Sequence, residues 1–281
     1  MNGVVETENK GGLAPVGPAP ISVSTGDLTA NAEMEPDGAC ETYKVADYFL
    51  QGPNSLPNAA LEKLKKTISP ARMKRYLDLA DGDLRLAVRL HTWNAAVAGS
   101  LLPTLHIAEI TIRNVAMRRL ASKYGKQWYR STDLLDYRLG KSNLAQQLTD
   151  AYQSEIDKGR RGDLSDYITS ELTFGFWVNV FTKKFHPHLW KAELHTIVAG
   201  FPREKNIDHL HDGVEFVRTF RNNVAHHKDL ICKPVVENYE KTLDVIGMLC
   251  AKTRDAAGKT SAFRRVWACA PVPHDRLAIQ N

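Results

Sequence analysis

From about residue 58 onward, apolar positions recur mostly at three- and four-residue intervals; before it they hardly recur at all. That spacing lines one face of an α-helix, whereas a half-buried strand alternates with period two. In TISPARMKRYLDLADGD, Ser69 can cap a helix and Pro70 suits its first position, where a missing N–H is harmless. The ADGD stretch then ends that helix. The run LRLAVRLHTWNAAVAGSLLPTLHIAEITIRNVAMRRLASKYG reads as two helices broken near Pro103, with Leu101, Leu105, Ala108, Ile112, Val115 and Leu120 close to the helical period. KSNLAQQLTDAYQSEIDKG predicts a more polar helix and LSDYITSELTFGFWVNVFTKKF a strongly apolar one. Short helices around 189–199 and 206–223 follow, then one over 234–253 opened by Pro234. No alternating stretch between turn signals argues for a sheet, and no internal repeat is found. The expected fold is an all-α bundle of roughly seven to nine helices.

Six of the thirteen prolines lie in the first 57 residues, with GGLAPVGPAP among them. A segment so poor in apolar repeats cannot bury enough surface to offset the entropy of ordering. Residues 1–53 are therefore expected to be a disordered acidic Pro/Gly-rich leader, residues 54–255 the helical domain and 256–281 a C-terminal tail. Charge follows the same division. The chain carries +5 overall and residues 1–52 carry −6, so the remainder carries +11. A basic body of that size fits a polyanionic partner, although charge alone speaks to attraction and not to chemistry. Four scattered cysteines form neither a disulfide framework nor a CxxC metal site. No run approaches the roughly 18 uninterrupted apolar residues of a membrane span, and the start lacks the build of a signal peptide. The expectation is a cytoplasmic protein without a membrane.

The stretch FRNNVAHH, residues 220–227, is where chemistry enters. Leu210, Val214, Val217 and Arg221 sit at i, i+4, i+7 and i+11, about three whole turns, so Arg221 projects from the apolar stripe of its helix. A guanidinium there needs a dedicated anionic partner, either a carboxylate or a bound phosphate. Arg221 and His226 are five apart, about 140° around an ideal helix. They can converge if the helix ends or loosens near NNVA, for which Asn222–Asn223 are plausible residues. An exposed terminus bearing Arg, Asn and His suits phosphodiesters, because arginine grips phosphate oxygens bidentately and histidine moves protons near neutral pH.

RNNVAH has the R-x4-H form of the HEPN ribonucleases, and FRNNVAHH resembles their abortive-infection (Abi-like) branch. ISPARMKRYL (68–77), HTWNAAVAGSLLPTLHIAEITIRNVAMRRL (91–120) and LTFGFWVNVF (172–181) match that branch in order, so the resemblance runs from about residue 60 to 250. It implies a HEPN-type helical bundle, frequent homodimerisation, and RNA cleavage without metal or other cofactor at a site shared between two motifs, paired across the homodimer. Carried over by position, Arg221 grips the scissile phosphate, His226 acts as general base or acid, and Asn222 orients one of them. Attack by the 2′-hydroxyl leaves a 2′,3′-cyclic phosphate, which also explains a preference for RNA over DNA. A role in phage defence or as a toxin follows, restrained by an antitoxin protein or a small RNA. The E-x3-RN element of the family falls on Glu109 and Arg113.

Each of these residues has a plainer reading. Glu109 and Arg113 are also an ordinary i,i+4 helix pair; the functional alternative has Glu109 approach Arg221, or Arg113 join it around the phosphate. His227 either backs up His226 or faces solvent. His186, His188, His209 and His211 stand in i,i+2 pairs, which point to different sides of a helix, and no paired carboxylates accompany them, so no metal site is expected. Trp93, Trp177, Phe174 and Phe181 read as core. Phosphate loops, nucleophile elbows and HExxH signatures are absent, which removes P-loop nucleotide hydrolysis, serine hydrolysis and zinc proteolysis. Beside a metal-independent endoribonuclease stand two rivals: a non-catalytic RNA-binding module and a protein-interaction scaffold.

Overall fold

A computed structural model describes residues 52–140, 142–191 and 194–278. The disordered leader expected over residues 1–53 falls outside them, apart from a short 3-10 turn at Gly52–Ser55. Among the described residues every regular element is helical, as the spacing predicts. The helices are α1 (Asn58–Ile68), α2 (Pro70–Leu79), α3 (Leu84–Tyr124), α4 (Asn143–Asp157), α5 (Ser165–Glu171), α6 (Phe174–Asn179), α7 (Leu194–Ile197), α8 (Ile207–Ala225), α9 (Val235–Leu249), α10 (Ala251–Thr260), α11 (Phe263–Ala268) and α12 (His274–Ala278). Short π-helical stretches at Asp133–Leu139 and His186–Trp190 interrupt the series.

The 41-residue α3 is the axis of the bundle, packed by α2, α8, α9 and α11. It starts sharply because the Asp83 carboxylate accepts from the backbone N–H groups of Arg85 (2.8 Å) and Leu86 (3.1 Å). The break expected at Pro103 does not occur. Pro103 lies on the exposed side of α3, where its ring meets solvent, while Leu101, Thr104 and Leu105 on either side are buried and hold the helix on course. Packing outweighs the lost hydrogen bond. This helix is long and apolar enough, by length and composition, to cross a membrane, which the count of uninterrupted apolar residues did not reveal; half of its most apolar window is buried inside the bundle.

Other expected boundaries shift for local reasons. The apolar run over 164–185 divides into α5 and α6, because the Thr173 side chain accepts from Phe176 N–H at 3.2 Å and opens a new helix. The helix expected over 234–253 divides at Cys250, whose backbone is extended (φ −164°, ψ 108°). Of the segment read as a C-terminal tail, residues 256–278 instead form the end of α10 together with α11 and α12, and pack on the core. Phe263 is fully buried, Trp93 donates its Nε1–H to the Val266 carbonyl at 2.8 Å, and Trp267 lies over Trp93. Large aromatic side chains late in the chain were the available signal: burying them offsets the ordering of short helices.

α8 reaches its place through a close crossing. A Cβ on Gly213 would stand 2.8 Å from Val245 Cγ2, so only glycine lets α8 approach α9 at this point.

Candidate active site

α8 begins at a capping box in which the Asn206 side chain accepts from the N–H groups of Asp208 and His209, with the His209 ring turned back to Asn206. Its buried face is Ile207, Leu210, Val214, Val217, Phe220 and Val224. Arg221 sits on the shoulder of this stripe, its side chain 40% exposed. The anionic partner it requires is a carboxylate. Arg221 Nε–H donates to Glu109 Oε2 at 3.1 Å, and Glu109 Oε1 accepts from Arg113 Nη2 on the same helix, α3. Glu109 is therefore more than half of an i,i+4 pair: one nearly buried carboxylate is shared by two guanidiniums.

Two positive charges on one negative charge leave the triad with a net charge of +1, and Arg221 carries that excess to the surface. Arg113 Nε is buried without a hydrogen-bond partner. A protein position that holds an uncompensated guanidinium beside solvent favours an anion there.

The other half of the motif is arranged differently from the sequence expectation. α8 does not end at Asn222–Asn223 but stays regular to Ala225, and the His226 N–H still donates to the Asn222 carbonyl at 2.9 Å. Arg221 and His226 thus leave the helix about 140° apart. Asn222 lies between them around the axis, and its Oδ1 accepts from Arg221 Nη1 at 3.5 Å. The structure joins Arg221, Asn222, Glu109 and Arg113, and it leaves His226 exposed at the helix end.

That end is a Schellman turn. His227 N–H donates to Val224 O and Lys228 N–H to Asn223 O, both at 3.1 Å, while His227 takes the left-handed position (φ 53°) usually given to glycine. A histidine pays in backbone strain there, so His227→Gly is expected to hold or raise stability by up to ~1 kcal/mol. Urea unfolding of the two proteins checks this; a loss of more than ~1 kcal/mol would show that the His227 side chain holds the turn in place.

No family model, no curated protein and no solved structure matches the chain.

The loop after the histidines is fixed by a residue that the sequence reading passed over. Asn94, buried in α3, accepts from Leu230 N–H (2.8 Å) and Ile231 N–H (3.3 Å) and donates to the Lys228 carbonyl (3.4 Å). Its signal was available: a single amide inside the apolar run TWNAAVAG must find partners if the run is buried. Beside it, Arg75 Nε lies 2.9 Å from Asp229 Oδ2 in an ion contact without hydrogen-bond alignment. Burial pushes the Asp229 carboxyl above the usual range against the pull of Arg75, and burial likewise raises the neighbouring Tyr76 hydroxyl and Cys232 thiol. Together these contacts hold the histidine-bearing end of α8 against α2 and α3.

Three of the other histidines have local roles. His186 Nε2 lies 2.7 Å from the Phe181 carbonyl, His188 Nε2 is 2.8 Å from Arg138 Nη1, and His209 closes the capping box. A shallow cleft of about 480 Å³ lined by Asp150, Gln153, Ser154, Asp157 and Lys158 contains none of the motif residues, and its carboxylates suit no anionic ligand.

Proposed function

We propose that this chain is an Abi-like member of the HEPN ribonucleases, a cytoplasmic, metal-independent endoribonuclease of phage defence or toxin type, acting as a homodimer. The observation that carries the reading is the Glu109–Arg221–Asn222 cluster, a guanidinium held by a nearly buried carboxylate and presented at the surface five residues before an exposed histidine. In this scheme Arg221 binds the non-bridging oxygens of the scissile phosphate. Glu109 fixes Arg221 from behind, and Asn222 orients it from the side. His226 removes the proton from the ribose 2′-hydroxyl, whose oxygen attacks phosphorus as the P–O5′ bond breaks. The 5′-oxygen takes a proton from solvent or from a second histidine, leaving a 2′,3′-cyclic phosphate and a 5′-hydroxyl. The nucleophile belongs to the substrate, so this route needs no cofactor. An antitoxin protein or a small RNA is the matching restraint.

One observation favours a second reading. Arg221 and His226 diverge within a single chain, as a module that only binds RNA would allow. Labelled RNA with a single 2′-deoxy sugar at the cleaved position separates the two. The ribonuclease reading expects cleavage to vanish at that bond alone while binding is unchanged. Binding that weakens steeply with salt, with no cleavage of the all-ribose strand, supports the binding module instead.

A further inference from the structure

The chain has ten histidines. Besides the three with local roles, His91 packs edge-on against Tyr76 and His195 against Phe201. His211 Nδ1 lies 3.3 Å from Asp212 Oδ1, and His274 Nε2 lies 3.1 Å from the Trp267 carbonyl. Among the described residues only His106, His226 and His227 keep a ring without a partner, and all three are exposed. A histidine that moves protons has to be free in this way. His106 lies on α3, outside the FRNNVAHH stretch. It is about 20° from Arg113 around the helix and about 4.5 Å from Glu109 along its axis. α8 runs antiparallel to α3 here, since Arg221 meets Glu109 and the loop beyond α8 meets Asn94, nearer the start of α3. The end of α8 therefore passes the level of His106. His226 stands about 7.5 Å beyond Arg221, in the same direction as His106 stands from Glu109.

We propose that His106 is a further catalytic residue, the general acid that protonates the 5′-oxygen of an RNA phosphate held by Arg221. The proposal rests on the ribonuclease reading and names the second histidine which that reading leaves open. Seen from Arg221, His106 lies on the α3 side, whereas His226 lies about 140° round α8, past Asn222. Ala225, exposed and one turn after Arg221, sets only a methyl group beside it at the level of His106. In-line displacement at phosphorus places the attacking and leaving oxygens on opposite sides. Base and acid must then approach the bound phosphate from opposite sides, and two helices supply them where one cannot. His226 takes the proton of the 2′-hydroxyl as the O2′–P bond forms. The His106 imidazolium gives its proton to the departing 5′-oxygen as the P–O5′ bond breaks. His226 ends protonated and His106 neutral, and exchange with solvent restores both. The divergence of Arg221 and His226 thus becomes the spacing that an acid–base pair requires.

RNA with a single bridging 5′-sulfur at the cleaved bond tests the role. A thiolate departs without a proton, because thiols ionise near pH ~8.5, far below alcohols. The full-length proteins are assayed in EDTA on this RNA and on its all-oxygen counterpart, with circular dichroism to verify folding. His106→Ala should cut the all-oxygen RNA at least ~100-fold more slowly than the wild type, and the sulfur RNA within about 3-fold of it. His226→Ala should be slow on both, since the 2′-hydroxyl still has to lose its proton. His227→Gly should match the wild type on both. Equal losses on the two RNAs in His106→Ala would overturn the proposal, leaving the residue a part in binding or structure alone. So would all-oxygen cleavage by His106→Ala within about 3-fold of the wild type, or rescue by sulfur in His226→Ala or His227→Gly instead. In each of these cases cleavage by the wild type leaves the ribonuclease reading standing. A wild type that cuts neither RNA sinks that reading and the role of His106 with it.

Discussion

Asn94→Ala is expected to lose about 2–4 kcal/mol of stability, the largest cost of any polar substitution near the site. The reason is the asymmetry between making a hydrogen bond and leaving one unmade. Asn94 Oδ1 accepts from two buried backbone groups, Leu230 N–H and Ile231 N–H, which have no other route to an acceptor once the amide is gone. Each buried N–H left without a partner costs about 1–3 kcal/mol, and the cavity from the lost side chain adds to that. Because the same side chain holds the Lys228 carbonyl, the loop should loosen together with the end of α8, and the histidines with it. Equilibrium urea unfolding measures the first effect, and hydrogen exchange at residues 228–231 measures the second. Asn94→Asp retains the acceptor but sets a buried carboxylate oxygen against the Lys228 carbonyl, so it should recover little of the loss. A change below ~1 kcal/mol in the alanine variant, with unaltered exchange, would mean that the loop holds itself without Asn94.

Glu109→Leu removes the carboxylate that separates Arg113 from Arg221. Breaking a fully buried pair costs about 3–5 kcal/mol. Arg221 is 40% exposed and can swing toward water, so about 1–3 kcal/mol is expected here. The double variant Glu109→Leu with Arg221→Leu should regain part of it, because no unpaired guanidinium then faces the gap. Glu109→Gln separates charge from shape: it keeps the amide oxygen as an acceptor for Arg221 while leaving the two cations uncompensated. Under the proposed mechanism it slows RNA cleavage without unfolding the chain. Full cleavage and full stability in Glu109→Gln would reduce the contact to an incidental ion pair.

How much of this was legible in the sequence differs from feature to feature. The helical class was, because burying one face imposes the 3.6-residue period wherever it applies. An anion beside Arg221 was legible too, although on a premise the fold modifies: Arg221 stands on the shoulder of the apolar stripe, 40% exposed, and not within it. Which anion it is was less so. Glu109 lies 112 residues away in sequence, and only the crossing of α3 with α8 brings it within 3.1 Å. Pro103 misled because a proline ends a helix only when packing does not hold both flanks, and the exposure of that position is a tertiary fact. The break at Thr173 and the helices after residue 255 depend in the same way on what they pack against. The Schellman turn at His227 was hidden because histidine stands where glycine would have signalled it. Asn94 was the most readable omission, a lone amide in an apolar run.

The most direct measurement is cleavage of labelled RNA in EDTA by the wild type, Arg221→Ala and His226→Ala, with circular dichroism to verify that all three are folded. The account predicts cleavage by the wild type alone, with 2′,3′-cyclic phosphate ends on the products. Equal cleavage by all three folded proteins would contradict it, placing the activity outside FRNNVAHH.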